Sequence, residues 1–211
     1  GGARQRSTIP GAELAHVVDG DDLRKVLTGS GEGDAKKMPL MGRLAATAGR
    51  TLRLTDDPER LAKLTKYYMP IGDRVAIIGG GLVGIEMAEF LVERRRAVTV
   101  LDPGPTMAVE MAHPRRWRVL TDLRDHGAAL ITGATVTRIA DDAVHYTLED
   151  DTSATVEADS VVIATGLIGN PDLTQWKSVA GVEPHVIGDA TGITYLEGAM
   201  HEGFHAALAL G

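Results

Sequence analysis

The chain has 211 residues, a net charge of -7 and no cysteine. Its length permits a full core, hiding roughly 70% of the unfolded surface. The missing cysteines exclude disulfides, thiolate nucleophiles and cysteine-held zinc or iron–sulfur clusters within these residues, and the acidic balance argues against non-specific nucleic-acid binding.

No apolar run approaches the ~20 residues of a membrane span. The opening stretch GGARQRSTIPGAEL lacks the apolar segment of an export signal, so a cytoplasmic location with no membrane partner is expected. Before residue 71 the pattern is irregular. DGDDLRKVLTG reads as a short helix begun by Asp21 or Asp22, TGSGEGDAKK as a polar linker, and DDPERLAKLTKYYMP as a second helix with Asp57 as cap and Pro58 at its first position. GSGEGD (Gly29 to Asp34) imitates a phosphate loop. It follows a helix rather than a strand, however, and Glu32 and Asp34 would repel phosphate, so it reads as linker.

DRVAIIGG (Asp73 to Gly80) is a continuous apolar run closed by glycines, the pattern of a strand buried on both faces. LVGIEMAEFLVERRR then places Leu82, Ile85, Ala88, Glu89 and Val92 at helical spacings. AVTVLD (Ala97 to Asp102) is a second strand, stopped by Pro103-Gly104-Pro105. A β-α-β unit of ~30 residues implies parallel strands with a right-handed crossover. The basic run ERRRA (Glu93 to Ala97) ends the helix, where in solvent it complements the helix dipole.

HPRRWRVLTDLRDHG predicts a helix with Pro114 in its first turn and Trp117, Leu120 and Leu123 inward. AALIT is a short strand. TVTRIA, AVHYTL and SATVEA alternate polar with apolar, Val144, Tyr146 and Leu148 against His145 and Thr147, and acidic turns separate them; this predicts an antiparallel meander. SVVIATG (Ser160 to Gly166) returns to a buried strand, PHVIGDATG predicts another short one, and a final helix starts near Glu197.

The chemistry gathers at Gly79-x-Gly81-x-x-Gly84, between a predicted strand and a predicted helix. Gly79 permits the tight turn, Gly81 lets the backbone approach a pyrophosphate, and Gly84 allows close packing of helix on strand. The phosphate then meets free N–H groups at the helix start, those of Leu82 and Val83 among them. The ribose partner belongs ~20 residues on, at the end of the second strand; Asp102 stands there. A carboxylate accepts hydrogen bonds from ribose hydroxyls and repels a 2′-phosphate, by about 4 kcal/mol per charge pair at ~4 Å and an effective dielectric near 20, before screening. A third of that is about a tenfold preference for NAD over NADP. No Arg or Lys between residues 103 and 114 offsets it; Arg115 and Arg116 stand just beyond.

A second pattern competes. His201-Glu202-Gly203-Phe204-His205 fits H-E-x-x-H, which needs a third ligand, usually downstream, and an open water position. The six residues after His205 include no His, Glu or Asp, and Gly203 weakens the helix. Met200, Phe204 and Leu208 form an apolar stripe, as on a helix packed against a sheet, so no metal site is expected. His16, His113, His126 and His145 are scattered and read as surface or structural residues.

VAIIGGGLVGIEMAEFLVERRRAVTVLD, VVIATGLIGNPDL and HVIGDATGITYLEGAMHEGFHAAL, in this order, resemble the C-terminal flavin/nicotinamide half of the 2,4-dienoyl-CoA reductase and old-yellow-enzyme-like NADH:flavin oxidoreductases, of which trimethylamine dehydrogenase carries a relative. The resemblance covers residues 8 to 28 and 71 to 211. It implies an α/β fold in which a Rossmann-like parallel sheet with an antiparallel meander is inserted into an FAD-binding domain. The segments expected are 1–29 (partial FAD domain and linker), 30–70 (helical insertion), 71–167 (NAD(P) domain) and 168–211 (C-terminal part of the FAD domain). It further implies that Gly79, Gly81, Gly84 and Asp102 hold the dinucleotide, that Ala164-Thr165-Gly166 marks the strand end leaving the nicotinamide domain, and that Asp189 of Gly188-Asp189 binds the FAD ribityl chain. Glu86 could face the flavin or be a partly buried structural acid.

These relatives carry an N-terminal barrel with FMN and an iron–sulfur cluster, so electrons would run from NADH to FAD, through the cluster to FMN, and on to an enoyl-type double bond. The barrel, its cysteines and the first FAD fingerprint have no counterpart here. The expectation is therefore a portion of a larger enzyme with half an FAD site, its partners NADH, FAD and a barrel of the same polypeptide. The alternative is a non-catalytic ADP- or dinucleotide-binding module, as in an amine dehydrogenase-like flavoprotein.

Overall fold

The structure, a computed structural model, describes residues 3–4, 7–19, 71–169, 185–193 and 195–210. The helices, linker and insertion expected between 20 and 70 lie outside the described residues. The chain divides into two compact units, Ser7–Thr165 and Gly1–Arg6 with Gly166–Gly211. The segment expected over 1–29 is thus shared between them.

The strands in chain order are β1 (Ala3–Arg4), β2 (Val17–Asp19), β3 (Arg74–Ile78), β4 (Ala97–Leu101), β5 (Ala129–Ile131), β6 (Thr135–Ile139), β7 (Ala143–Thr147), β8 (Ser153–Glu157), β9 (Ser160–Ile163) and β10 (Leu167–Ile168). The helices are α1 (Leu82–Val92), α2 (His113–Asp125) and α3 (Tyr195–Leu210). In the larger unit a parallel sheet runs in the order β2-β9-β3-β4-β5. β3 lies at its centre, paired with β4 from Arg74↔Ala97 to Ile78↔Leu101 and with β9 on its other side. The expected α/β architecture is present, including the separate antiparallel meander β6-β7-β8.

Side-chain alternation explains the continuous apolar run of β3. Val75 and Ile77 enter one core with Ile85, Ala88 and Leu91 of α1, and Val119 and Leu123 of α2. Ala76 and Ile78 point the other way, into a second core with Leu101, Val161 and the meander residues Ile139, Val144 and Tyr146. Each face of the sheet is covered at β3, so its buried residues Val75 to Ile78 all need apolar side chains. The full burial of Ile77 and Ile85 contributes roughly 1.5–3 kcal/mol apiece.

Four sequence expectations are corrected. Trp117 is 69% exposed; the inward face of α2 centres on Val119 and Leu123, an i,i+4 pair about 100° per residue away from it. Arg94 is not in solvent: its side chain lies buried over the Phe90 ring, 3.4 Å from the centroid, and Nη1 donates to the Phe90 carbonyl in the last turn of α1. In the smaller unit, residues 185–187 form no strand and Gly188–Ala190 is a 3-10 turn, because Gly188 sits at φ +65° and reverses the chain. Met200, Phe204 and Leu208 on α3 are 66%, 63% and 64% exposed rather than packed on a sheet. Ala199 and Glu202, on a different side of α3, are the residues that meet the Gly188 turn and set the helix's rotation.

Candidate functional site

Gly79-Gly80-Gly81 follow β3 directly, and α1 begins at once. The structure separates the three motif glycines by what each would meet as alanine. At Gly79, φ is +109°, and a Cβ would lie 2.4 Å from the Ala164 carbonyl oxygen. At Gly84 it would lie 1.9 Å from the Gly79 carbonyl oxygen. Both are backbone collisions, so these two glycines close the crossing of helix, loop and the end of β9. Ala164 belongs to this crossing, its N–H donating to the Ile78 carbonyl at 2.8 Å. Thr165 and Gly166 continue outward as exposed residues at the boundary of the unit.

Gly81 differs. Its backbone is extended (φ -71°, ψ -172°), open to any residue, and a Cβ there would meet only the side chain of Glu110, 3.1 Å away. Gly81 is also the N-cap of α1, where Ser, Asp or Asn would hydrogen-bond the first turn, yet no side chain caps the helix and no acid lies in that turn. The helix therefore offers the N–H groups of Leu82, Val83 and Gly84 beside a position that conformation does not reserve for glycine.

Asp102, at the end of β4, turns its carboxylate onto this loop. Oδ2 accepts the Gly80 N–H at 2.6 Å and Oδ1 accepts the Gly104 N–H at 2.7 Å. It remains part-exposed, with lone pairs beyond those two bonds. Beyond it the chain folds back over the loop: Met107 and Ala108 are buried, and the Ala108 N–H donates to the Gly80 carbonyl at 2.7 Å, with Ala108 at φ +52°. This returning segment carries Glu110 to Gly81. Sequence reading missed Glu110, and no local pattern signals it.

Glu86, one turn into α1, faces Arg115 of α2, whose Nη2 lies 3.4 Å from Oε1. Arg115, the first cation beyond Asp102, is thus engaged with a carboxylate one turn along the helix.

In the smaller unit Gly188 and Asp189 form the turn before α3. Glu202 accepts the Gly188 N–H at 2.6 Å and the Thr191 hydroxyl at 3.2 Å, and Asp189 Oδ1 accepts the Tyr195 N–H at 3.0 Å. The glutamate of the H-E-x-x-H pattern is therefore spent on the turn, while His201 and His205 are exposed. Among the described residues no three potential metal ligands converge, and no helix is long and apolar enough to cross a membrane.

The sequence profile of the pyridine nucleotide-disulphide oxidoreductases matches residues 8–188. The chain belongs to this family. Membership supports an oxidoreductase with NAD and FAD as cofactors. Among the relatives of this pyridine nucleotide-disulphide oxidoreductase, a NADH oxidase of Thermoanaerobacter brockii is 31% identical over 137 residues, covering 64% of this chain and 21% of the relative. A bilirubin reductase of Mediterraneibacter gnavus is 32% identical over 148 residues, covering 70% and 23%. Among solved structures, a 2-naphthoyl-CoA reductase complex superposes with a TM-score of 0.59 at 25% identity, over 97% of this chain and 25% of that one. The chain spans about a fifth to two-fifths of the length of the curated relatives it matches.

Proposed function

We propose that residues 71–167 bind NADH and present it to FAD, held in part by residues 168–211. In the whole protein the pair would serve reduction of an enoyl-type double bond on a 2,4-dienoyl-CoA-like thioester. The observation that carries the reading is Gly81, a glycine that neither backbone conformation nor the protein's own backbone packing demands. An absent side chain at an uncapped helix start is what an approaching diphosphate requires.

The fit follows residue by residue. Gly81, Leu82 and Val83 offer N–H groups and the positive end of α1 to the diphosphate. Gly79 and Gly84 hold that loop against β9. Asp102 keeps lone pairs for ribose hydroxyls while its two backbone bonds fix its direction. Glu86, paired with Arg115, lies one turn further along the same helix, and Ala164 to Gly166 carry the chain out of the dinucleotide domain. When bound, the two cofactors supply the hydride transfer; the residues supply position and charge. Asp189, whose Oδ1 accepts the Tyr195 N–H, is the residue we assign to the ribityl hydroxyls. The thioester substrate is supported by the 2-naphthoyl-CoA reductase neighbour and by the sequence resemblance. The same resemblance supports a preceding barrel that holds FMN and an iron–sulfur cluster.

Gly81→Ser tests the proposal. A serine cap should leave stability unchanged or raise it by a few tenths of a kcal/mol, while its side chain enters the diphosphate position and weakens NADH binding at least tenfold by calorimetry. Unchanged NADH affinity would overturn the assignment. Nucleotide binding without flavin reduction in the whole protein would favour the ADP-module alternative.

A further inference from the structure

Glu110 has no role in the reading above, yet its carboxylate is the group nearest the one open glycine of the loop. Its Oε1 lies 3.1 Å from where a Gly81 β-carbon would stand, with Cδ at 3.8 Å and Oε2 at 3.9 Å. The residue is exposed, and among the described residues no hydrogen bond or ion pair holds its carboxylate elsewhere. Its backbone, in contrast, is well placed: the buried residues Met107, Ala108 and Met111 flank it, and the Ala108 N–H and Met111 N–H bond to the Gly80 and Ala108 carbonyls at 2.7 and 3.0 Å. A fixed backbone thus carries a movable charge to the mouth of an uncapped helix. That end of a helix attracts an anion.

We infer that Glu110 is an anionic guard of the glycine loop: its carboxylate competes with a diphosphate for the α1 N-terminus and must swing aside for the dinucleotide to enter. The inference rests on the dinucleotide reading of the loop. Two consequences follow from charge alone. Small anions with nothing to grip besides the loop, inorganic pyrophosphate among them, are excluded by the competing carboxylate. A dinucleotide overcomes it because ribose contacts at Asp102 add to the diphosphate contacts. Glu110 therefore helps set which anions the mouth accepts, and it weakens dinucleotide affinity. A residue that instead accepted hydrogen bonds from the ligand would strengthen it, so the two roles have opposite signs.

The experiment compares the full chain with its Glu110→Gln and Glu110→Asp variants by calorimetry against NADH, ADP, inorganic pyrophosphate and uncharged adenosine. Removing one screened like charge should tighten NADH and ADP about tenfold in Glu110→Gln, equivalent to about 1.4 kcal/mol, and make pyrophosphate binding measurable. Adenosine should respond less than twofold. The NADH gain should shrink as salt rises, since screening already weakens the guard in the parent chain. Glu110→Asp, shorter by one methylene, should fall between. NADH affinity unchanged or weakened in Glu110→Gln overturns the guard while leaving the dinucleotide site standing. If neither protein binds NADH or ADP, the reading of the loop fails and the guard falls with it. Glu110 is exposed and unbonded among the described residues, so both variants should melt with the parent.

Discussion

Asp102→Asn isolates the carboxylate that shapes the loop and that we propose for ribose recognition. Its two oxygens accept N–H groups from Gly80 and Gly104 at 2.6 and 2.7 Å, the short range of charge-assisted bonds. Asparagine offers one oxygen and one NH2 group, so whichever way it turns, one backbone N–H faces another donor. Bonds to a charged acceptor contribute roughly 1.5–3 kcal/mol each and neutral ones about 1 kcal/mol. One bond is therefore weakened and the other lost, a gross change of about 3 kcal/mol. Because Asp102 is part-exposed, water recovers some of this, and a net loss of about 1–2 kcal/mol in urea unfolding is expected. Calorimetry should show NADH weakened tenfold or more. The preference for NADH over NADPH should narrow, because the charge that repels a 2′-phosphate is gone. Hydrogen exchange should speed at Gly80 and Gly104 and stay constant at Val100 in the middle of β4. Stability within about 0.5 kcal/mol of the parent, with NADH affinity within twofold, would refute the reasoning.

Gly84→Ala gains about 1 kcal/mol in helix propensity, but its Cβ would lie 1.9 Å from the Gly79 carbonyl oxygen. Overpacking of 1–3 kcal/mol should win, so the melting temperature should drop and NADH binding weaken together; a raised melting temperature contradicts the close crossing. At the opposite end of β3, hydrogen bonds from Arg74 hold the Asp159 carboxyl below the usual carboxylate range. A carboxylate whose folded pKa is depressed adds stability above its unfolded value, near 3.9, and loses it as pH falls through the folded one. The urea midpoint of the parent should therefore fall more than that of Asp159→Asn between pH 5 and pH 2.5, and equal falls would show the pair to be inert.

What the sequence made legible was local. β3, α1 and β4 follow from a run buried on both faces, a helical period and two glycine or proline stops, and their pairing follows from the handed crossover of a short β-α-β unit. The meander followed from alternation, and Val144 and Tyr146 are buried as that pattern requires. Two of the failures share a cause. Trp117 and the Met200–Phe204–Leu208 stripe satisfy a helical period, but periodicity gives only the spacing of a face, whereas tertiary contacts choose its rotation. In α3 that choice is made by a polar residue, Glu202, bonding to the Gly188 turn. Hydrophobic counting has no access to such a contact.

The site divides along the same line. The attractive parts of the proposed site, the glycine loop, the open helix start and Asp102, lie within one strand–turn–helix–strand unit, and their adjacency was readable because ~30 residues of local geometry fix it. Its opposing part was not. Glu110 reaches Gly81 only because the chain after β4 folds back, buries Met107 and Ala108, and takes a left-handed step at Ala108. Alanine announces no such step, so nothing in GPTMAVEM distinguishes this path from a surface loop. A motif therefore tells where a phosphate can be attracted; how selectively it is admitted depends on which distant side chain the fold returns to the mouth. Affinity for the dinucleotide should accordingly respond to substitutions in residues 103–111 as sharply as to those in the glycine loop itself, though with gains as well as losses.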